Sequence, residues 1–335
     1  MSETSANRWN TTANPDPGQS ARTNHNIAIW GAPGSGKTTF LAALNIALIL
    51  KDGPWRLIGA DGPSTDFLIE MTAALSQDQC FPQATSTLGR YRWFLSEKPE
   101  LQPRRWGRKR KEARAWKIGI DVLDAPGRSY HSKRTGRGTE REDLLDSLAA
   151  SRGIVFLFDP VREFKDGDAF VHLHGVLADL ARRMLATGEY ADDTLPHHLA
   201  VCVTKFDELQ VLQTAQKLSL LSPDPEDPHR FPRVADEDAE ELFQMLSTVS
   251  ASGNAGMVLP TLKQYFRSDR IKFFVTSSIG FYLDPMKGHF DPDDHQNLIS
   301  AYQIRGQARP INVMEPMLWL GRQLSAEGDD RGARR

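Results

Sequence analysis

Six runs along the chain are apolar enough to be buried strands or sheet edges, and amphipathic stretches of helical period separate them. His25-Asn-Ile-Ala-Ile-Trp30, Ile118-Gly-Ile-Asp-Val-Leu123, Gly153-Ile-Val-Phe-Leu-Phe158, Leu199-Ala-Val-Cys-Val203 and Ile271-Lys-Phe-Phe-Val275 are short and rich in β-branched and aromatic residues, as strands buried on both faces of a parallel sheet are. Tyr91-Arg-Trp-Phe-Leu95 mixes polar and aromatic positions and predicts an edge strand. Between them, Thr39–Leu50 is apolar all round and predicts a buried helix. Arg141–Ala150 carries Leu144, Leu145 and Leu148 on one face. Phe170–Leu185 carries Val171, Leu173, Val176, Leu177, Leu180 and Leu185, and a last helix over Asn312–Leu324 carries Met317, Leu318, Trp319 and Leu320. Strands alternating with helices predict an α/β fold, a mostly parallel sheet with helices on both faces.

Two insertions interrupt this plan, near 51–89 and 210–270. The first holds a helix over Phe67, Leu68, Met71 and Leu75, with Ser64 or Thr65 as its expected cap. The second holds the proline-rich, acidic stretch 222–233 and a helix starting near Asp236. Neither shows a strand set of its own, so both read as elaborations of one domain spanning 25–325. Residues 1–24 are rich in Ser, Thr, Asn, Pro and Gly and read as disordered, and 326–335 as a flexible tail.

The first strand runs into Gly31-Ala-Pro-Gly34-Ser35-Gly36-Lys37-Thr38, and a helix follows. Strand, glycine-rich turn and helix form the context of a P-loop. The glycines let backbone N–H groups face the phosphates of a nucleoside triphosphate, Lys37 adds a point charge, and Thr38 offers a hydroxyl to Mg²⁺, with Thr39 next along the helix. Asp124-Ala-Pro-Gly127 stands at the tip of a second strand. An acidic residue there suits Mg²⁺, and Gly127 can turn its N–H toward a terminal phosphate.

Thr204-Lys205-Phe206-Asp207 follows a third strand tip. The Asp207 carboxylate can accept from the N1–H and 2-amino group of guanine, a donor pair that adenine lacks, and the Lys205 stem can lie along the base. Thr276-Ser277-Ser278 follows a fourth, where backbone N–H groups could meet the guanine oxygen. Any one of these boxes alone reads as a polar loop after a strand. In order behind four strand tips, they spell a guanine-nucleotide site.

In this order the motifs resemble the Ras-like, translation-factor-related class of P-loop GTPases. The likeness implies GTP/GDP and Mg²⁺ as ligands and GTP hydrolysis as activity. It also implies that a threonine before the edge strand closes over Mg²⁺: Thr85, following Pro82, with Thr87 as the alternative. Three positions depart from the class: Thr204 stands where most members have Asn, Ile279 where many have Lys, and Arg128 where many have the Gln that orients the attacking water. Catalytic roles then fall to Lys37, Thr85, Gly127 and Arg128. The Phe81-Pro-Gln-Ala-Thr85 segment and the Asn312–Leu320 ending are similar to bacterial double-GTPase proteins of regulatory or defence systems, which implies a protein effector or second GTPase as partner.

Composition changes this picture little. The chain has 335 residues, 40% of them hydrophobic, and a formal charge of −2, so no global field draws it to nucleic acid or membrane. Two cysteines and no membrane-length apolar run fit a cytoplasmic protein. Residues 104–117 contain eight basic residues and one acidic residue, with Trp106 and Trp116 among them. They read either as a solvated hairpin tip or as a patch for an acidic partner, RNA or anionic lipid. His172, His174, His197 and His198 lack partners at metal spacing and read as helix and loop histidines. Two rival readings stay open: an ATP-using P-loop enzyme, and a nucleotide-dependent scaffold that does not hydrolyse.

Overall fold

The computed structural model describes residues 26–32, 34–82, 89–97, 117–124, 137–190, 192–223 and 227–333. Its centre is a seven-stranded sheet in the order β2-β3-β4-β1-β5-β6-β9. These strands are β1 (Asn26–Gly31), β2 (Trp55–Gly59), β3 (Gly89–Glu97), β4 (Lys117–Asp124), β5 (Gly153–Phe158), β6 (His198–Val203) and β9 (Ile271–Val275). The five strands read as buried, β4, β1, β5, β6 and β9, pair in parallel. Continuous burial of β5 and β6 explains their unbroken apolar runs. The fold class is the mixed α/β one that the periodicity predicts.

Each face has its own core. Helices α1 (Lys37–Leu50), α2 (Gly62–Ser76) and α9 (Glu315–Ala333) cover one, with Phe40, Leu41, Leu44, Met71, Leu75, Met317 and Leu320 buried beneath them. Helices α3 (Arg137–Ala150), α5 (Ala169–Ala186), α7 (Ala239–Thr248) and α8 (Val258–Tyr265) cover the other, over Leu145, Leu148, Leu173, Leu177, Phe243 and Leu262. Short α4 (Pro160–Asp166) and α6 (Leu209–Lys217) follow β5 and β6. Val171 and Leu185, read as part of the apolar stripe of α5, are instead exposed.

Several boundaries differ from the sequence reading. β3 pairs antiparallel with both β4 and β2, so the segment around Tyr91–Leu95 lies inside the sheet and β2 is the edge. β2 arises within the first insertion. It is five residues long and buries only the Trp55 and Leu57 side, so its apolar signal is weak. The second insertion likewise contains a small hairpin of β7 (Leu221–Pro223) and β8 (Pro232–Val234). Asp61 caps α2, its carboxylate accepting from the Ser64 N–H, while the Ser64 hydroxyl instead accepts from the Arg92 N–H. The last helix begins at Glu315, because Asn312 holds φ 53, outside helical geometry, and Pro316 sits where a helix tolerates proline. It runs on to Ala333, through most of the stretch read as a tail. Between β9 and α9, the hairpin β10 (Leu298–Ser300) and β11 (Gln303–Ile304) bonds back to residues 79–81: Phe81 N–H donates to Tyr302 O at 3.0 Å and Ile304 N–H to Gln79 O at 2.8 Å. Among the described residues, no helix is long and apolar enough to cross a membrane.

Candidate nucleotide site

Because β4, β1, β5, β6 and β9 run in parallel, their carboxyl ends share one edge of the sheet. Gly31 ends β1, Asp124 ends β4, Asp159 follows β5, Thr204 follows β6 and Thr276 follows β9. Every motif singled out in the described sequence therefore opens on the same edge.

In the P-loop, Gly34 and Gly36 take φ of 75° and 89°. Side chains other than glycine rarely adopt these values, and here they turn the backbone into the first turn of α1. Among the described residues, no atom beyond the chain neighbours lies within 4 Å of where a Cβ would sit on either residue, so one face of the loop is open to them. Lys37 Nζ lies 3.1 Å from Gly31 O and 3.2 Å from Ala32 O, folded over the loop that would hold phosphate. Ser35 Oγ is buried and has no hydrogen-bond partner among the described residues. Thr38 and Thr39 lie in the first turn of α1.

The Thr204–Asp207 loop is tied down at every residue. Thr204 Oγ1 and Thr204 N–H both donate to Phe158 O, at 3.0 and 2.9 Å. Lys205 adopts φ 59, and its Nζ reaches Asp159 Oδ2 at 2.7 Å. Phe206 is fully buried against Phe281. Asp207 is buried and accepts the Ser277 hydroxyl, which itself accepts the Gly280 N–H at 2.8 Å. Burial pushes the Asp207 carboxyl up to about 6, against the lowering effect of the Ser277 hydrogen bond. A buried carboxylate is costly unless donors reach it, which suits a group that can take further donors.

The third box is altered by the chain beyond it. Thr276 N–H donates to Val203 O at 2.8 Å, and Ser277 N–H to Ile311 O at 3.1 Å. Those two backbone donors are spent on the scaffold, which leaves Ser278 as the residue of that triplet able to offer an N–H to a base. Ser277 acts instead through its hydroxyl, on Asp207.

Sequence reasoning missed Asp159. Its Oδ1 accepts Val161 N–H and Arg162 N–H, both at 3.0 Å, capping α4, while Oδ2 holds Lys205. The visible signal is Asp-Pro directly after a buried strand, a helix-start pair at a strand tip. The Lys205 ammonium is thus held at the β5 tip by Asp159. Asp124 closes β4 opposite Gly89, on the shared edge. Thr85, Thr87, Gly127, Arg128 and most of the basic 104–117 run lie outside the described residues. His197 and His198 open the β6 strand region and are buried, at the sheet edge away from this site.

No family model matches the chain, and no curated protein matches it in sequence. Among solved structures it is similar to Sup35 complexed with GDP, at 12% identity and a TM-score of 0.28, over 76% of this chain and 36% of that one. It is similar to the signal recognition particle receptor SRb-GTP/SRX complex from Chaetomium thermophilum, at 14% and 0.32, over 78% and 92%. It is also similar to the GTP-bound Ski7 GTPase-like domain of S. cerevisiae, at 12% and 0.36, over 90% and 50%. The chain thus spans about a third of the Sup35 chain and half of the Ski7 one. All three are remote likenesses.

Proposed function

We propose that this chain is a Mg²⁺-dependent guanine-nucleotide switch that hydrolyses GTP slowly. One observation carries the reading: a glycine-turned phosphate loop and a buried, serine-anchored carboxylate, Asp207, open on the same edge of a parallel sheet. The open face of Gly34 and Gly36 and the unpartnered Ser35 hydroxyl fit a phosphate chain. Backbone N–H groups from Gly34 to Thr39 would bind it, and Lys37 would turn from its own loop carbonyls onto it. Asp207 would take the guanine N1–H and 2-amino group, with Thr204, Lys205, Ser277 and Ser278 shaping its surroundings. Thr38, Asp124 and Thr85 would hold Mg²⁺, which supplies positive charge against the terminal phosphates. Arg128 stays protonated and cannot take a proton from water, so hydrolysis without help stays well below about one turnover per minute.

Loops carrying Thr85 and Gly127 would report the terminal phosphate to a protein effector or second GTPase. The resemblance of Phe81–Thr85 and Asn312–Leu320 supports a bacterial regulatory or defence setting in the cytoplasm.

Titration calorimetry with GDP, GTP, ATP and xanthosine triphosphate tests the reading, and Lys37→Ala is its control. Guanine nucleotides bind, ATP does not, and Lys37→Ala loses at least about tenfold in affinity while its melting curve is kept. ATP binding as tight as GTP would make the chain an ATP-using enzyme. Single-turnover assays separate a slow GTPase from a scaffold that does not hydrolyse.

A further inference from the structure

Beyond the phosphate loop the sheet carries a basic face whose exposed cations lie on β2, β3 and the start of β4, while α3 packs against β4 farther along on the same side. Helices α1 and α2 pack on one side of β2 and β3. On the other side the register lines up Arg56 and Ile58 of β2, Arg90, Arg92 and Phe94 of β3, and Lys117 and Asp121 of β4. Arg92 stands opposite Asp121, and Ile58 opposite Phe94. Arg90 Nη2 and Arg92 Nε lie 3.1 and 3.3 Å from the Asp121 carboxylate. The arginine side chains are 46% and 51% exposed and the aspartate 4%. One buried carboxylate therefore orients two half-exposed guanidiniums and neutralises only one. Lys117 Nζ sits 3.7 Å above the Phe94 ring, and Arg56 is exposed. The charges that the register puts on this face are four positive against one negative, in a chain whose net charge is −2. The sequence that joins β3 to β4, residues 98–116, continues the same sign, with eight basic residues and two acidic.

We propose that this face of β2, β3 and β4 binds a single polynucleotide strand, with Arg56, Arg90, Arg92 and Lys117 taking its phosphates. Charge complementarity calls for a polyanion, and three features narrow it. Three of the four cations are arginines, whose planar fork matches phosphate oxygens in pairs. Arg90 and Arg92 are held in place at alternate strand positions, about 6.7 Å apart along the strand, which suits discrete phosphates. Attraction to an anionic membrane needs only loosely placed charge. A two-stranded ribbon enters a duplex major groove, but a sheet continuing into β1 is too broad, so the strand is single. None of these four cations is a residue placed in the nucleotide site, and the inference stands whether or not that site takes guanine.

Fluorescence anisotropy of the full chain tests it, using labelled oligouridylate and oligothymidylate of about 15 nucleotides across a salt series. Four phosphate contacts predict a log-affinity slope against log salt of about −3. Arg90→Gln with Arg92→Gln should flatten that slope by about 1.4 and weaken binding roughly tenfold or more at low salt, with GDP affinity unchanged. The glutamine amides still donate to Asp121. Should that variant fail to melt cooperatively, Arg56→Gln with Lys117→Gln, outside the carboxylate pair, should flatten the slope equally. A preference between the two oligomers would identify RNA or DNA as the source. The proposal falls if neither oligomer binds at low salt, if both pairs of substitutions leave the slope unchanged, if a duplex of equal length binds as tightly, or if phosphatidylserine vesicles bind and the oligomers do not.

Discussion

At the scale of single residues, Asp207 sets the pH behaviour of the proposed site. Its carboxyl keeps a proton up to about pH 6 because burial disfavours the charge. Guanine needs the ionised form to receive two donors, so below about pH 6 binding must first remove that proton. GDP affinity should be flat above about pH 7 and fall roughly tenfold per unit below 6, as one linked proton requires. Asp207→Asn should bind guanine nucleotides weakly, prefer xanthosine triphosphate and lose the pH dependence. Calorimetry from pH 5 to 8 checks this, and a parent protein with no pH dependence would remove Asp207 from the base pocket. The sequence made Asp207 and the P-loop legible, because each motif is contiguous and sits at the end of a readable strand. It did not show that Ser277 holds Asp207 or that Asp159 holds Lys205. Both act across the sheet edge, Ser277 on a residue 70 positions away, and such pairings exist only once the parallel strands are in register.

At the scale of elements, the segment from Thr276 to Met314 does work that its sequence hides. It has no long apolar period, only short hairpins and turns, yet it buttresses the loop after β9 that holds Asp207. Asn297 Nδ2 donates to Ile279 O at 3.1 Å, Arg309 N–H donates to Ile279 O at 2.9 Å, and Ile311 pairs with Ser277. Gly280 is its tightest point, with φ 65 and Arg309 O only 1.9 Å from where a Cβ would sit. That contact is with backbone, so no side-chain rotation relieves it. Gly280→Ala should therefore cost about 2–4 kcal/mol and weaken GDP binding, since Gly280 N–H also anchors the Ser277 hydroxyl that holds Asp207. Gly288→Ala is the control: it has a similar φ of 68 but open space around it, and should lose only about 1 kcal/mol. Urea melts of both variants decide, and equal losses would mean that the close approach to Arg309 is unimportant. The strand β2 was hidden for a related reason. An edge strand buries one side only, and five residues give too few alternations to stand out from a loop. By contrast β5, β6 and α1 were readable because their burial is nearly complete and local to the run.

At the scale of the whole molecule, stability and the proposed nucleotide binding should be coupled through protons at opposite edges of the sheet. His197 is fully buried, its Nε2 3.1 Å from Leu148 O, and burial beside Arg152 and Arg270 holds it down to about 3. His198 is also lowered by burial, which outweighs the raising effect of Glu327 at 3.0 Å. His197 stays neutral in the folded protein, His198 is held toward its neutral form, and both gain protons when unfolded near the ordinary histidine range. Their stabilising contribution is present above about pH 6.5 and is lost as pH falls toward their folded values. Asp207 acts in the opposite sense: its folded value is raised, so its contribution is present at low pH and lost as pH rises through about 6. Below about pH 6 His197 offsets Asp207, the lowered His198 adds to the same side, and the Tm of the nucleotide-free protein should rise with pH there. His197→Gln should flatten the rise, and Asp207→Asn should steepen it. Saturating GDP should steepen it as well, because the ligand holds Asp207 ionised and removes its contribution, which favours acid. The gain in Tm from GDP should accordingly be larger at pH 7.5 than at 5.5, as stabilisation by a ligand grows with its affinity. Scanning calorimetry at several pH values with and without GDP measures all four profiles. A GDP-induced shift that is the same at both pH values would break the link between the base carboxylate and the fold, even if the histidine effect survives.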